Sequence, residues 1–379
     1  MKRRRLSNHS CGVQNGAFYL PPEIICEILS RLPIEAILRC KSVCKEWSRL
    51  TEDPHFINLQ RDRANNQLPR LILQSHYKVS LQNLLLLDTE RCNIRKIPFK
   101  KMQLPSCSKY KLNRFRLVCS CNGLLCIALS DEIDPVIILN PITRESVILP
   151  SPERRIRAVS NQIGFHFDPS SGKYKVVREC RSMGNHKHIS IEIITLGESS
   201  WRELSAPVPV KFNQGRAVFW NGAFHWKIED SDYRSGDKCI LGFNISDEKF
   251  YTISCHVKFG VQNYELLVLG GCLTLVEHDV HLMKIWKVSG TKSQGFYLSF
   301  QCTYDTHVRW NNSLFYSVIW KTSHDSFLLK VTHSDSKARL NQHLVQFFPE
   351  KALYSPLKIP GLPPNFSSVC FKPTLVSLS

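Results

Sequence analysis

Three cysteines in one short segment are the residues whose spacing first suggests chemistry. Cys119, Cys121 and Cys126 lie within the run FRLVCSCNGLLCIAL, and closely spaced thiolates can bind Zn²⁺. A structural zinc site, however, normally has four ligands in tighter pairs, whereas here two thiols alternate along a predicted strand and the third lies across a hairpin. We therefore interpret these cysteines as packing residues, and the sequence predicts neither a metal nor another cofactor.

Histidine pairs and catalytic motifs supply no stronger candidate. His186 and His188 are close in sequence, as are His278 and His281, but no carboxylate accompanies either pair at the spacing of a metal motif. The sequence contains no G-x-S-x-G, no phosphate-binding P-loop and no G-x-G-x-x-G. We expect a chain without catalytic residues that performs no bond chemistry of its own.

Aromatic and basic residues could form a binding surface instead. Trp201, Trp220, Trp226 and Trp286 could line a ligand site, although such tryptophans more often pack inside a β-domain. The segment 95–116 contains eight Lys or Arg residues and no acid, with aromatic residues between them. That composition suits nucleic acid, but it also suits a solvated basic loop, which is the interpretation we favour.

Composition limits the class of protein. The 379 residues are 43% hydrophobic and 22% charged, which is typical of a globular chain with one large domain or two unequal ones. No apolar run is long enough to predict a membrane span. The 15 cysteines lack framework spacing and no secretory signal is evident, so we expect reduced thiols and a location in the nucleus and cytoplasm. The net charge of +18 resides mostly beyond residue 60 and favours acidic partners.

The elements that would position a binding surface begin with short helices. The first predicted helix has five apolar residues on one face: Ile24, Ile25, Ile28, Leu29 and Leu32. Pro33 ends it, a second helix covers Ile34–Arg39, and a third runs from about Cys40 to Leu50 before Asp53 and Pro54 break the pattern. Some 40 residues of short helix rarely form a stable core alone. To be buried, their remaining apolar side chains must pack either against the C-terminal part of the chain or against a partner protein.

The segments LPPEIICEILSRLP, LRCKSVCKEWSRL and DPHF, in that order, resemble an F-box, the module that binds the Skp-type adaptor of cullin–RING ubiquitin ligases. The resemblance implies an F-box of three short helices at 18–62. The residues before it, 1–17, are predicted from their composition to form a basic disordered tail, whose KRRR run could be a nuclear-localisation signal. The resemblance also implies that adaptor-binding residues lie among Leu20, Pro21, Ile25, Ile28, Leu29, Leu32, Pro33, Leu38, Val43, Cys44 and Trp47. Within that set we expect Ile28, Leu38 and Trp47 to hold the module together.

The rest of the chain has the alternation of β-strands. Asn-Gly, Gly-Gly or Asn-Asn pairs punctuate apolar strands at CNGLLCI, WNGAFHW, GGCLTLV and NNSLFYS, and Asn-Gly is typical of a tight hairpin. The first two pairs are 99 residues apart, and the next intervals are 49 and 41 residues. A four-stranded propeller blade needs about 40–50 residues. The spacing predicts a β-propeller of about six or seven blades, with a β-sandwich as the structural alternative.

This half resembles the kelch-like F-box-associated region of plant F-box proteins. The matching pieces are CNGLLCI, ILNPITRES, GFHFDPSSGKYKVV, WREL, NGAFHW and ILGFNISDEKF. We therefore assign 63–110 to a linker with the first strands and 111–375 to the F-box-associated, propeller-like domain.

Together the two resemblances imply a non-catalytic substrate receptor of a Skp–cullin–F-box ubiquitin ligase. Its expected partners are the Skp-type adaptor, through it the cullin and RING subunits, and an unidentified target protein held by the β-domain. Neither a membrane nor nucleic acid is an expected partner. The alternative function is that of a basic propeller with a helical head that binds RNA or another ligand.

Overall fold

The computed structural model describes residues 20–76, 83–97, 115–129, 135–151, 162–181, 189–204, 211–212, 216–229, 238–255, 264–278, 282–291, 295–305, 313–322, 325–334 and 339–378. The chain divides into two compact units, Met1–Asn66 and Gln67–Ser379. None of the described helices is long and apolar enough to cross a bilayer. The predicted tail at 1–17, most of the basic segment 95–116, and His186, His188 and His281 lie outside the described residues.

The first unit has four helices where the sequence predicted three. They are α1 Pro22–Ser30, α2 Ile34–Cys40, α3 Lys45–Glu52 and α4 Pro54–Asn65. The third predicted helix began too early, because residues 41–44 form a turn. The Cys44 side chain then caps α3, its Sγ accepting a hydrogen bond from the backbone N–H of Trp47 at 3.4 Å.

The Asp53–Pro54 pair starts α4 rather than only ending α3. The Asp53 carboxylate accepts hydrogen bonds from the backbone N–H groups of His55 and Phe56, and Pro54 occupies the first turn, where its missing N–H costs nothing. The segment after this pair, where the sequence analysis placed no helix, is therefore a 12-residue helix.

The second unit is all-β. Its described strands are β1 Arg70–Ser75, β2 Leu84–Asp88, β3 Asn93–Lys96, β4 Phe115–Cys121, β5 Leu124–Leu129, β6 Val136–Leu139, β7 Ser146–Ile148, β8 Ile163–Asp168, β9 Lys173–Arg181, β10 Ile189–Thr195, β11 Arg202–Leu204, β12 Lys211–Phe212, β13 Val218–Trp220, β14 Ala223–Glu229, β15 Lys238–Asn244, β16 Phe250–Cys255, β17 Tyr264–Leu269, β18 Cys272–His278, β19 Leu282–Thr291, β20 Gly295–Asp305, β21 Ser313–Lys321, β22 Phe327–Ser334, β23 Leu340–Phe348, β24 Leu353–Pro356 and β25 Phe366–Phe371. A short 3₁₀ turn, Pro349–Lys351, precedes β24.

These strands form a six-bladed β-propeller, which excludes the β-sandwich alternative. Blade 2 is β4–β7, blade 3 is β8–β11, and blade 6 is β21–β24. Blade 4 is β13–β16, with the short β12 also paired to β14, and blade 5 is β17–β20. A single parallel pair, Ser254↔Tyr297, joins the outer strands of blades 4 and 5.

Blade 1 contains both ends of the β-domain. Its strand order is β25-β1-β2-β3, so the last strand of the chain is the innermost strand of the first blade. The pairing of β25 with β1 runs antiparallel from Arg70↔Phe371 to Ser75↔Phe366. The ring is thereby closed by hydrogen bonds, which leaves no open end of the ring for another chain to extend.

The predicted Asn-Gly turns occupy equivalent places in different blades. Asn122-Gly123, Asn221-Gly222 and Gly270-Gly271 join the first and second strands of blades 2, 4 and 5, each residue with positive φ. The 99-residue interval is therefore two blades, because blade 3 uses another turn at 169–172. The two asparagines of NNSLFYS lie outside the described residues. That segment is not the blade 6 equivalent, since it precedes the first strand of the blade and the connection to the second strand comes after Lys321.

Apolar side chains form layers between neighbouring blades. Leu125, Phe115 and Phe371 belong to the layer between blades 1 and 2, while Leu328 and Phe366 belong to the layer between blades 6 and 1. The core is thus distributed around the ring, and each blade is stabilised by its neighbours.

The segment after β25 is held against blade 2 by a buried asparagine. The Asn140 side chain, fully buried, donates to the carbonyl oxygens of Thr374 at 3.1 Å and Val376 at 2.7 Å. Its Oδ1 accepts from the backbone N–H of Ile142 at 2.8 Å. Gly123 lies so close to Thr374 that a Cβ there would approach the Thr374 backbone nitrogen to 2.7 Å.

We predict that Asn140→Ala lowers the free energy of unfolding by about 2–4 kcal/mol, because it leaves several buried backbone groups without a partner. Urea denaturation measures the change. Asn93→Ala, at an exposed position of β3, is the matched control and should change stability by less than ~0.5 kcal/mol. Equal effects of the two substitutions would contradict the role given to Asn140.

Candidate protein-binding site

The helical unit has a small core of its own. Leu29 of α1, Ile34 and Ile37 of α2 and Phe56 of α4 are all buried, with Phe56 completely so. These side chains hold the helices together, but they are few, so much of the apolar surface of the unit lies outside this core.

An ionic contact joins the first and last helices of the unit. Arg63 Nη2 lies 2.6 Å from Glu27 Oε2, and Arg63 Nη1 donates to the Glu27 backbone oxygen at 3.0 Å and to the Ser30 hydroxyl. Hydrogen bonds from Arg31 and then Arg63 hold the pKa of Glu27 below its ordinary value. The contact fixes α1 against α4 and therefore fixes which face of α1 is exposed.

Five large apolar side chains of this unit are exposed. Their exposed fractions are 49% for Leu20, 46% for Ile24, 48% for Ile28, 37% for Leu38 and 64% for Val43. Ile24 and Ile28 are one helical turn apart and share a face of α1. We call these five residues the apolar surface; it begins just before α1 and reaches the turn before α3.

The residues predicted from sequence to bind a partner fall into three groups. The exposed members are Leu20, Pro21, Ile28, Pro33, Leu38, Val43 and Cys44, the partly buried ones are Ile25, Leu32 and Trp47, and Leu29 is buried. Two expectations need correction. Ile28 and Leu38, which were expected to hold the module together, are exposed, and Leu29, which was expected to bind the partner, is buried. Because Ile25, Leu29 and Leu32 follow the i, i+4, i+7 spacing, they share the inward face of α1 and its end.

Ile24 was left out of the predicted binding set although it is among the most exposed apolar residues of α1. Its spacing of four residues from Ile28 places both on one side of the helix, which was a signal available in the sequence. What the sequence could not supply was which of the two apolar faces of α1 meets α4.

The cysteines of blade 2 are arranged as packing residues. Cys119 and Cys126 are directly opposite each other on β4 and β5. The hydrogen bond with the Cys119 thiol, together with burial, raises the pKa of Cys126 well above its ordinary value. Within the described residues no group of three or more His, Cys, Asp or Glu side chains is arranged to hold a metal ion.

The tryptophans make contacts within and between blades. Trp201 Nε1 donates to the Pro150 carbonyl of the preceding blade at 2.6 Å, and the Trp201 ring packs 3.7 Å from the Arg178 guanidinium. Trp220 Nε1 donates to the Gly271 carbonyl of the next blade at 2.9 Å. Trp226 is buried in the apolar layer between blades 3 and 4, and Trp286 packs edge-on against Phe300. These contacts favour the packing interpretation over a ligand site.

Glu265 is a carboxyl group set between the inner strands of blades 5 and 6. Its Oε2 accepts a hydrogen bond from the backbone N–H of Val318 at 2.9 Å. Burial raises the pKa of Glu265 from 4.5 to about 7, and the opposing effects of that N–H and of Lys330 and Lys227 offset burial only in part.

The fold and the apolar surface define a class of protein: a short helical module that presents apolar residues, followed by a closed six-bladed propeller. Comparison with known families agrees with that class. The F-box-associated β-propeller domain family matches residues 80–338, and the F-box-like family matches residues 18–57. Because the first match covers more than half of the chain, the chain belongs to the F-box proteins with an F-box-associated β-propeller domain.

Two relatives in Arabidopsis thaliana align with most of this chain. F-box protein At3g07870 is 26% identical over 99% of this chain and 96% of its own length. F-box protein At5g49610 is 29% identical over 73% of this chain and 76% of its own. Among solved structures, the ectodomain of the parainfluenza virus 5 hemagglutinin-neuraminidase covers 94% of this chain and 96% of its own, at 9% identity and a TM-score of 0.40.

We predict that Leu29→Ala lowers the stability of the helical unit by about 2–5 kcal/mol, because it leaves a cavity among the buried side chains of the four helices. Amide hydrogen exchange of α1 and α2 measures the loss locally. Ile24→Ala, on the exposed face of α1, is the control and should change exchange by less than the equivalent of ~0.5 kcal/mol. Equal protection factors in the two variants would overturn the assignment of the inward face.

We also predict a dependence of stability on pH that arises from Glu265. The unfolded carboxyl group loses its proton near 4.5 and the folded one near 7, so the native chain should lose stability as the pH rises through this range. Glu265→Gln keeps an oxygen that accepts from the Val318 N–H but cannot ionise. The variant should therefore gain stability relative to the native chain, up to about 3 kcal/mol at pH 8.

Thermal or urea unfolding at pH 5 and at pH 8 measures this difference. Glu203→Gln, an exposed substitution on β11, controls for the general loss of a negative charge. A Glu265→Gln advantage that is the same at both pH values would show that the carboxyl group titrates normally.

Proposed function

We propose that the protein is the substrate-recognition subunit of a Skp–cullin–F-box ubiquitin ligase. In this role the helical unit binds the Skp-type adaptor, the adaptor connects the chain to the cullin and RING subunits, and the propeller binds a target protein. The observation that supports the adaptor role most directly is the apolar surface, whose five side chains are between 37% and 64% exposed.

The physical argument for a protein partner is the apolar side-chain surface that the helical unit leaves exposed to water. Covering a half-exposed aliphatic side chain stabilises a complex by about 1 kcal/mol before the costs of association are counted. Five such residues on one small unit together contribute about 5 kcal/mol towards the cost of association. The helices are also fixed beforehand by the Glu27–Arg63 contact, so little ordering has to accompany binding.

The proposed contribution of the chain to ubiquitin transfer is proximity. A receptor that binds the adaptor at one unit and the target at the other holds the target's lysines near a ubiquitin-charged enzyme, which raises their effective concentration. Bond formation takes place on the partner subunits. We therefore propose a non-catalytic receptor.

The propeller suits the target-binding role because each blade is a hydrogen-bonded sheet and neighbouring blades pack through apolar layers. Loops between strands on a rigid scaffold can differ in sequence without disturbing the blades. The identity of the target depends on those loops and on the channel that the six inner strands surround.

We predict that Ile28→Asp and Val43→Asp each weaken binding of a purified Skp-type adaptor by at least about tenfold, since a charge would have to be desolvated in the interface. Both positions are exposed, so the substitutions should leave the chain folded. Leu353→Asp is the matched control, because Leu353 is 51% exposed but lies in the propeller. Equilibrium binding of immobilised adaptor measures all three variants.

Full binding by both Ile28→Asp and Val43→Asp, with unchanged circular dichroism, would refute the adaptor surface. A truncated chain that starts at residue 67 completes the test. Because α4 extends to Asn65 and the first unit ends at Asn66, this start removes the entire helical unit. This truncated chain should not bind the adaptor.

A further inference from the structure

Two cysteines of blade 2 lie directly opposite each other on its first hairpin. The pairing of β4 with β5 matches Leu117 with Ile127. The register then shifts by one residue, and the next matched pair is Cys119 with Cys126. In an unshifted ladder Val118 would be opposite Cys126. The shift is therefore what brings the two thiols together, in the way that a β-bulge redirects a side chain.

The spacing of facing positions in a hairpin is that of a disulfide. Directly opposite residues of an antiparallel pair have Cα atoms about 4.5–5.5 Å apart, and disulfides join Cα atoms about 4.4–6.8 Å apart. The thiols of Cys119 and Cys126 also share a hydrogen bond, so the two side chains meet on one side of the hairpin. Among the strand pairs that the structure describes, no other cysteine has a cysteine opposite it.

The two thiols differ in their access to solvent. Both are free thiols in this structure, and Cys119 is partly exposed whereas Cys126 is completely buried. A small oxidant from solution therefore reaches the sulfur of Cys119 first. Oxidation of an exposed cysteine next to a second cysteine typically proceeds to a disulfide, because the second thiol is in place to attack the oxidised sulfur.

We propose that Cys119 and Cys126 are an oxidation site, at which a peroxide converts the two thiols into a reversible disulfide. In the first step the thiolate of Cys119 attacks one peroxide oxygen, the O–O bond breaks, and a sulfenic acid remains on Cys119. In the second step the thiolate of Cys126 attacks that sulfur, the S–S bond forms, and the S–O bond breaks with loss of hydroxide. With hydrogen peroxide as the oxidant, the sulfur atoms lose two electrons to the peroxide oxygens, and the thiol protons leave in two water molecules.

The environment of Cys126 determines how fast the second step proceeds. The hydrogen bond with the Cys119 thiol, and next burial, raise the pKa of Cys126 well above its ordinary value, so little of it is thiolate at neutral pH. The contact between the two side chains works in the opposite direction, since the attacking sulfur needs no diffusional encounter. We therefore expect the disulfide to form slowly at neutral pH and faster at mildly alkaline pH.

The hairpin that carries the pair is fixed at its turn by contacts that involve neither thiol. The Thr374 hydroxyl donates to the Asn122 carbonyl oxygen, and Asn122 Nδ2 donates to the Tyr174 hydroxyl at 3.2 Å. Because facing positions already have the spacing of a disulfide, the bond can form without movement of the backbone. The inference is independent of adaptor binding, since it concerns only the propeller.

The test treats the full, reduced chain with hydrogen peroxide at mildly alkaline pH, alkylates the remaining thiols and analyses tryptic peptides by mass spectrometry. The peptide 117–144 contains Cys119, Cys121 and Cys126 and no internal Lys or Arg. We expect it to lose two hydrogen atoms in mass and to carry one alkyl group, on Cys121. Dithiothreitol before alkylation should restore three alkyl groups. Three alkyl groups after peroxide alone, or a disulfide that includes Cys121, would overturn the proposal.

Three alanine variants locate the disulfide. Cys119→Ala and Cys126→Ala should each abolish it. Cys121→Ala is the matched control and should form it like the native chain, because Cys121 is opposite Leu124 and only diagonal to Cys126. Diagonal Cα atoms are about 7–8 Å apart, which is too far for a disulfide. If Cys126→Ala disturbs folding, Cys119→Ala at its partly exposed position still decides the question. A disulfide that persists in Cys119→Ala, or is lost in folded Cys121→Ala, would refute the site.

Discussion

The antiparallel pairing of β25 with β1 is the constraint on which the propeller depends. Bringing together strands nearly 300 residues apart costs on the order of 5 kcal/mol in chain entropy, and the six paired positions must offset it with hydrogen bonds and burial. The apolar layers on both sides of blade 1 contain residues of β25, including Phe366 and Phe371. Closure and inter-blade packing are therefore one cooperative event.

Closure also determines what reaches the channel. Because β25 is an inner strand, its backbone carbonyls face partners that belong to distant parts of the sequence. Arg216 and Ser368 are 152 residues apart in the chain, yet they meet because blades 1 and 4 oppose each other. Without closure of the ring, β25 would not lie opposite blade 4 and the Arg216–Ser368 hydrogen bond could not form.

Local patterns in the sequence predicted the elements well, but the contacts between elements less well. The Asn-Gly turns were located correctly because positive φ is a property of a dipeptide and its immediate neighbours. The start of α3 was wrong because a cysteine sulfur serves as its cap, a role that periodicity does not reveal. The burial of Leu29 and the exposure of Ile28 depend on how α1 is rotated against α4. The Arg216–Ser368 contact depends on ring closure, so spacing along the chain gave no sign of it.

The two units handle apolar residues in different ways. The helical unit is too small to bury all of its aliphatic side chains, so it leaves Ile24, Ile28 and Val43 exposed while a few buried residues maintain its fold. The propeller buries most of its apolar residues between blades, although side chains such as Phe300 and Leu353 remain exposed. An interface at the helical unit gains stability by excluding water and depends weakly on salt.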